Sequence, residues 1–103
     1  MLTIQQMLQY VIDNKASDLH LLAGIWPVVR IDGVLLAVAG QEKLTYEQVV
    51  GLVSAVVSPE QKQVLSVNKE LDFSFSLEGR ARFRVNAYYQ RGTMGASFRL
   101  IPM

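Results

Sequence analysis

The residues best equipped for chemistry are arginines set between apolar neighbours, in Ala81-Arg82-Phe83-Arg84-Val85-Asn86 and again in Phe98-Arg99-Leu100-Ile101. Alternation of this kind marks β-strands with one buried face, and it gathers Arg82, Arg84 and Arg99 on the opposite, polar face. A loop at Gln90 to Thr93 pairs Val85 with Phe98 and therefore Arg84 with Arg99. Two guanidiniums directly opposite one another repel unless an anion lies between them. Arginine presents a planar donor fork that fits oxyanions, phosphate above all. The competing reading is a solvated face whose long side chains fan out into water. At the level of residues both readings stand.

A second group lies in Ala16-Ser17-Asp18-Leu19-His20-Leu21, which alternates as a short strand with Asp18 and His20 on one face. His20 is the only histidine, and the spacing offers no carboxylate partners for a metal site. Catalytic use would need a nucleophile or an orienting group that the sequence does not supply, so a hydrogen-bonded surface pair is the simpler reading. There is no phosphate loop of the G-x-x-x-x-G-K-[ST] type, no paired carboxylates at acid/base spacing and no Ser or Cys nucleophile motif. The chain holds a candidate anion platform without catalytic machinery.

The elements that must position these residues can be read in order. Thr3 with Gln6 forms a capping-box pattern, followed by Ile4, Met7, Leu8, Val11 and Ile12 at helical spacing, which predicts a helix ending near Asn14. After the strand carrying Asp18 and His20 comes a bend at Ala23 to Pro27, in which Trp26 reads as a packing residue or, beside Pro27, as part of a partner surface. Val28 to Ile31 and Val34 to Val38 read as strands joined by the hairpin turn Asp32-Gly33. Thr45 with Gln48 caps a second helix carrying Val49, Leu52, Val53, Val56 and Val57, and Ser58-Pro59-Glu60-Gln61 caps a third that runs to about Ser66. The run from Leu71 to Ile101 then gives three antiparallel strands. Pairing of Phe75 with Phe83 sets Ser74 beside Arg84 and Ser76 beside Arg82. The expectation is an α+β, PAS-like domain with about six strands and three helices in the order α-β-β-β-α-α-β-β-β.

With 103 residues, half of them hydrophobic, the sequence describes one ordered domain. Ten Lys and Arg against nine Asp and Glu leave a net charge of +1, which argues against a dedicated nucleic-acid binder. A nucleic-acid-binding sheet face would also want aromatics interleaved with the arginines, where only Tyr88 stands. The absence of cysteine fits an intracellular protein, and no apolar run reaches the length of a membrane span, so a soluble cytoplasmic domain is expected.

Several separate stretches together carry a resemblance. Ala16-Ser17-Asp18-Leu19-His20-Leu21, Pro27 to Gly33, Leu71 to Phe75, Ala81 to Asn86 and Phe98 to Pro102 resemble the N-terminal domain of the PilT family, the pilus retraction or twitching motility ATPases of the type II/type IV secretion superfamily. One departure is Trp26, where the family more often has a second Pro. The resemblance implies that residues 1–103 form a PAS-like N-terminal fragment, inactive as an enzyme alone, of a protein whose RecA-like ATPase domain is absent from this sequence. It also implies a homohexamer that binds ATP and Mg, with each N-terminal domain packed on its own and a neighbouring ATPase domain. That ring would work with the pilus inner-membrane machinery at the cytoplasmic face of a bacterial inner membrane. Assembly ATPases usually carry a longer N-terminal region, which favours retraction. By resemblance, Arg84 and Arg99, with Arg82 as a further candidate, reach the nucleotide phosphates when the interdomain cleft closes. Asp18, His20 and Asp32 are implied in positioning or subunit contact. No nucleic-acid partner, no metal ligand and no tight nucleotide binding are expected of the fragment itself. The alternative is a free-standing PAS-like sensor or adaptor with a ligand pocket lined by Phe73, Phe83 and Phe98.

Overall fold

The computed structural model describes residues 2–102; Met1 and Met103, which the expected domain includes, lie outside the described residues. Three helices and six strands follow the expected α+β order: α1 (Ile4–Asp13), β1 (Asp18–Leu22), β2 (Val28–Ile31), β3 (Val34–Ala37), α2 (Tyr46–Ser54), α3 (Pro59–Asn68), β4 (Glu70–Leu77), β5 (Ala81–Gln90) and β6 (Thr93–Ile101). The strands form one antiparallel sheet in the order β3-β2-β1-β6-β5-β4.

Each helix starts on a full capping box, Thr3 with Gln6, Thr45 with Gln48 and Ser58 with Gln61, so orphan N–H groups are satisfied at all three N-termini. Their C-termini differ. Helix α1 closes in a Schellman motif, with Lys15 N–H donating to the Ile12 carbonyl and Ala16 N–H to the Val11 carbonyl. Lys15 takes the left-handed conformation there, at φ 54°, and Ala16 seals the motif against Val11. Ala16 therefore caps a helix and does not begin the strand. Helix α2 stops at Ser54 although Val56 and Val57 continue its spacing. Pro59 holds Ser58 in extended backbone, and Ser58 must serve as the next N-cap, so the chain leaves the helix early.

All three helices lie on one face of the sheet. Ile4, Met7, Leu8 and Val11 of α1, and Val49, Leu52 and Val53 of α2, pack against Leu19, Leu21, Phe83, Val85, Ala87, Met94, Ala96 and Phe98 of the central strands. Burial of these side chains supplies most of the driving force for folding. The opposite face carries no helix, and the polar residues of the alternating strands stand on it. Toward the β3 edge the cover runs out: Val34, Leu35 and Leu36 are exposed, as are Ile25 and Trp26. Trp26 is thus not a packing residue; its ring lies open with the Lys43 ammonium 5.0 Å from its centre. Among the described residues no helix is long and apolar enough to cross a membrane.

Candidate anion-binding site

The uncovered face is organised in rows that run across the strands. In one row the pairings Arg30↔Asp18, Asp18↔Arg99, Arg99↔Arg84 and Arg84↔Ser74 follow in sequence. Two residues further along β1 and β6, a second row places His20, Ser97, Asn86 and Asp72 side by side. The opposition of Arg84 and Arg99 is as expected, and so is the placing of Ser74 beside Arg84 and Ser76 beside Arg82. The hairpin between β5 and β6 closes through Arg91-Gly92, both at positive φ, so that Gln90 faces Thr93 and fixes this register.

Asp18, His20, Asp72, Arg84, Asn86, Ser97 and Arg99 line a shallow concavity of about 240 Å³. Arg84 and Arg99 are exposed, and among the described residues neither side chain makes an ion pair or a hydrogen bond. Of the other arginines, Arg91 lies exposed in the β5–β6 turn, outside the concavity, and three are hydrogen-bonded. Arg82 donates to Ser74 Oγ at 3.2 Å and stands outside the concavity, one step along β5. Arg80 donates to Gln9 Oε1 at 3.0 Å. Arg30 donates to the Gly33 carbonyl at 2.9 Å, while its Nε lies 3.7 Å from the Asp18 carboxylate.

Asp18 is buried, at 3% exposure, where a surface pair with His20 was expected. Its central strand position explains the difference, because the arginines on β2 and β6 flank it. The carboxylate accepts from Ser17 Oγ and is bonded to His20 Nε2. Burial alone would raise its pKa, but the hydrogen bonds to Ser17 and His20 and the charges of His20 and Arg30 together hold it below the usual carboxylate range. Asp18 is thereby engaged on its β2 side and at His20, and it leaves the β6 and β5 arginines uncompensated. Asp32 sits at the exposed tip of the β2–β3 hairpin at φ 49°, away from the concavity; its turn neighbour Gly33 accepts from Arg30, whose Nε in turn faces Asp18.

Arg30, Asp72, Asn86 and Ser97 were not singled out in the sequence. The signal for Arg30 lay in the Asp-Gly turn, whose two-residue loop sets the β2–β3 register. Asp72, Asn86 and Ser97 share the polar face through the β4–β5–β6 register that the sequence indicates, and only their juxtaposition with Asp18 and His20 waits on β1 lying against β6. Of the three phenylalanines expected to line a pocket in a sensor, Phe83 and Phe98 are fully buried, while Phe73 is half-buried and borders a shallow surface concavity with Asp72, Ser74, Arg84 and Ile101.

No family model matches the chain. Among curated proteins it is 39% identical over 99 residues to the type IV pilus retraction ATPase PilT of Pseudomonas aeruginosa, which covers 96% of this chain and 28% of that protein. It is 32% identical to the type IV pilus ATPase PilU of the same organism, over 94% of this chain and 25% of the relative. The solved structure of the pilus retraction motor PilT with bound ADP superposes with a TM-score of 0.92 at 37% identity, over 99% of this chain and 30% of the motor. The Legionella pneumophila ATPase DotB shares the fold, with a TM-score of 0.79 at 24% identity. The chain thus spans under a third of each of these proteins. By sequence along nearly its whole length and by a fold that superposes over nearly the whole chain, the chain belongs to the PilT N-terminal domain family.

Proposed function

We propose that this chain is the N-terminal domain of a hexameric type IV pilus retraction ATPase, and that Arg84 and Arg99 contact the phosphates of ATP when the cleft to the ATPase domain closes. The observation that carries the reading is the direct opposition of these two exposed arginines, neither with an ion-pair or hydrogen-bond partner among the described residues, in one concavity of the uncovered sheet face. Holding two like charges side by side costs stability, and an oxyanion between them turns that cost into affinity. The two guanidiniums fit the phosphate oxygens of a nucleotide. Mg would accompany the nucleotide and is assigned no ligand in this chain. Arginine stabilises the charge that spreads over phosphoryl oxygens during transfer, and supplying it from a mobile domain couples turnover to domain movement.

The domain itself performs no hydrolysis in this reading. It packs on its own RecA-like ATPase domain and on that of a neighbouring subunit, at the cytoplasmic face of a bacterial inner membrane beside the pilus machinery. The Asp18–His20–Arg30 network and the Asp32 turn hold the sheet edge in register for such contacts. In the full-length protein, Arg84→Ala or Arg99→Ala is expected to lower ATP turnover by about 10²- to 10³-fold. Circular dichroism of the variant domain should stay that of wild type. Undiminished turnover in both variants refutes the assignment. The sensor alternative gains nothing from the core, since Phe83 and Phe98 are sealed within it.

A further inference from the structure

The concavity is bipolar. Its first row offers a ligand the guanidiniums of Arg84 and Arg99, since the Asp18 carboxylate in the same row is engaged by Ser17, His20 and Arg30. Its second row offers acceptors at the β4–β5 end, Asp72 and Asn86, beyond Ser97 and His20. Asp72 is exposed, and among the described residues its carboxylate has no ion pair or side-chain hydrogen bond, though it lines the same concavity as Arg84. Asn86, directly opposite Asp72, donates its amide Nδ2 to Glu70 Oε1 at 3.1 Å. That bond fixes the orientation of the amide and leaves the carbonyl oxygen Oδ1 as its available end. The rows are two residues apart along β5, a step of about 7 Å.

Inorganic polyphosphate does not complement such a surface, because its charge would meet the donors at one end and the Asp72 carboxylate at the other. A complementary ligand is anionic at one end and carries hydroxyl donors roughly one row-step away. A carboxylate accepting from sugar hydroxyls is a recurrent way of reading a ribose. We infer that Asp72, assisted by Asn86, binds the vicinal hydroxyls of a nucleotide's ribose while Arg84 and Arg99 hold its phosphates. The inference rests on the proposed phosphate role of the two arginines. It adds the sugar as the feature by which this face tells a nucleotide from a bare polyphosphate.

The test is an amide NMR titration of the ¹⁵N-labelled chain, as wild type and as Asp72→Ala, with ATP, 2′,3′-dideoxy-ATP, tripolyphosphate and ribose 5-phosphate. Wild type should prefer ATP to the dideoxy analogue by about tenfold, the lower end for one hydrogen bond to a charged acceptor, as suits a solvated site. In Asp72→Ala that ratio should fall to about one while tripolyphosphate binds as well as before or better, since a negative charge has been removed. The ratio is the readout because loss of the charge alone would strengthen all four ligands. Equal wild-type affinity for ATP and its dideoxy analogue overturns the inference. Ribose 5-phosphate binding as tightly as ATP overturns the assignment to a nucleotide. If tripolyphosphate and ATP both leave the amides of Arg84 and Arg99 unmoved, the phosphate reading itself fails, whatever Asp72 does.

Discussion

Asp18 is the residue on which the polar face turns, and its chemistry fixes a pH dependence. A carboxylate held below its ordinary pKa in the folded chain stabilises the fold above the unfolded value of about 3.9, and that contribution is lost as the pH falls through the depressed folded value. Asp18→Asn removes charge-assisted bonds at a buried position and is expected to cost about 1–3 kcal/mol at pH 7. The gap to wild type should narrow in melts below about pH 4, where wild type loses the same interaction. A gap that stays constant with pH would assign the cost to shape and not to charge. The alternation in sequence made the shared face of Asp18 and His20 legible, as it did the opposition of Arg84 and Arg99. It left the burial of Asp18 out of sight, because that depends on the residues of β2 and β6 on either side, and strand order is not written in the period of a single strand.

At the scale of elements, two glycine-like positions show how local rules meet tertiary ones. Lys15 stands in the left-handed position of a complete Schellman motif, which glycine adopts without steric cost. Lys15→Gly is expected to stabilise the chain by about 0.5–1 kcal/mol in denaturant titrations. Gly95 is the reverse case. It lies opposite Tyr88 in the β5–β6 ladder, and a Cβ added there would come within 2.7 Å of the Tyr88 ring. Gly95→Ala should therefore cost roughly 1–2 kcal/mol by displacing the ring. In a Tyr88→Ala background the same change should gain about 0.5–1 kcal/mol, since alanine is better than glycine within a strand. A double-mutant cycle with no coupling between the two positions would contradict this packing. Helix starts were legible to the residue because capping boxes are local. The early end of α2 was not, because the valine spacing continues past Ser54 and the demand of the next N-cap overrides it.

Across the whole molecule the sheet is unevenly dressed, with helices over its centre and an apolar edge at β3 where Val34 is 56% and Leu35 52% exposed. An uncovered apolar edge strand invites pairing with another chain. Val34→Lys is expected to reduce self-association of the isolated chain in sedimentation experiments while shifting stability by no more than about 0.5 kcal/mol. Unchanged sedimentation across concentrations for both proteins would show that the edge is inert. The sequence indicated three strands before the two helices and three after, but the way the halves join was hidden, since nothing local specifies β1 against β6. That seam has a kinetic consequence. Asp18 and Arg99 come from opposite ends of the described chain and meet only when β6 closes on β1. The pairings within β1 to β3 and within β4 to β6, the opposition of Arg84 and Arg99 among them, join segments much nearer in sequence. Joining the distant segments is slow compared with forming a hairpin. Closure of the seam adds Asp18 and His20 to the Asp72, Arg84, Asn86, Ser97 and Arg99 that β4 to β6 carry by themselves, so the concavity is complete only in the finished sheet.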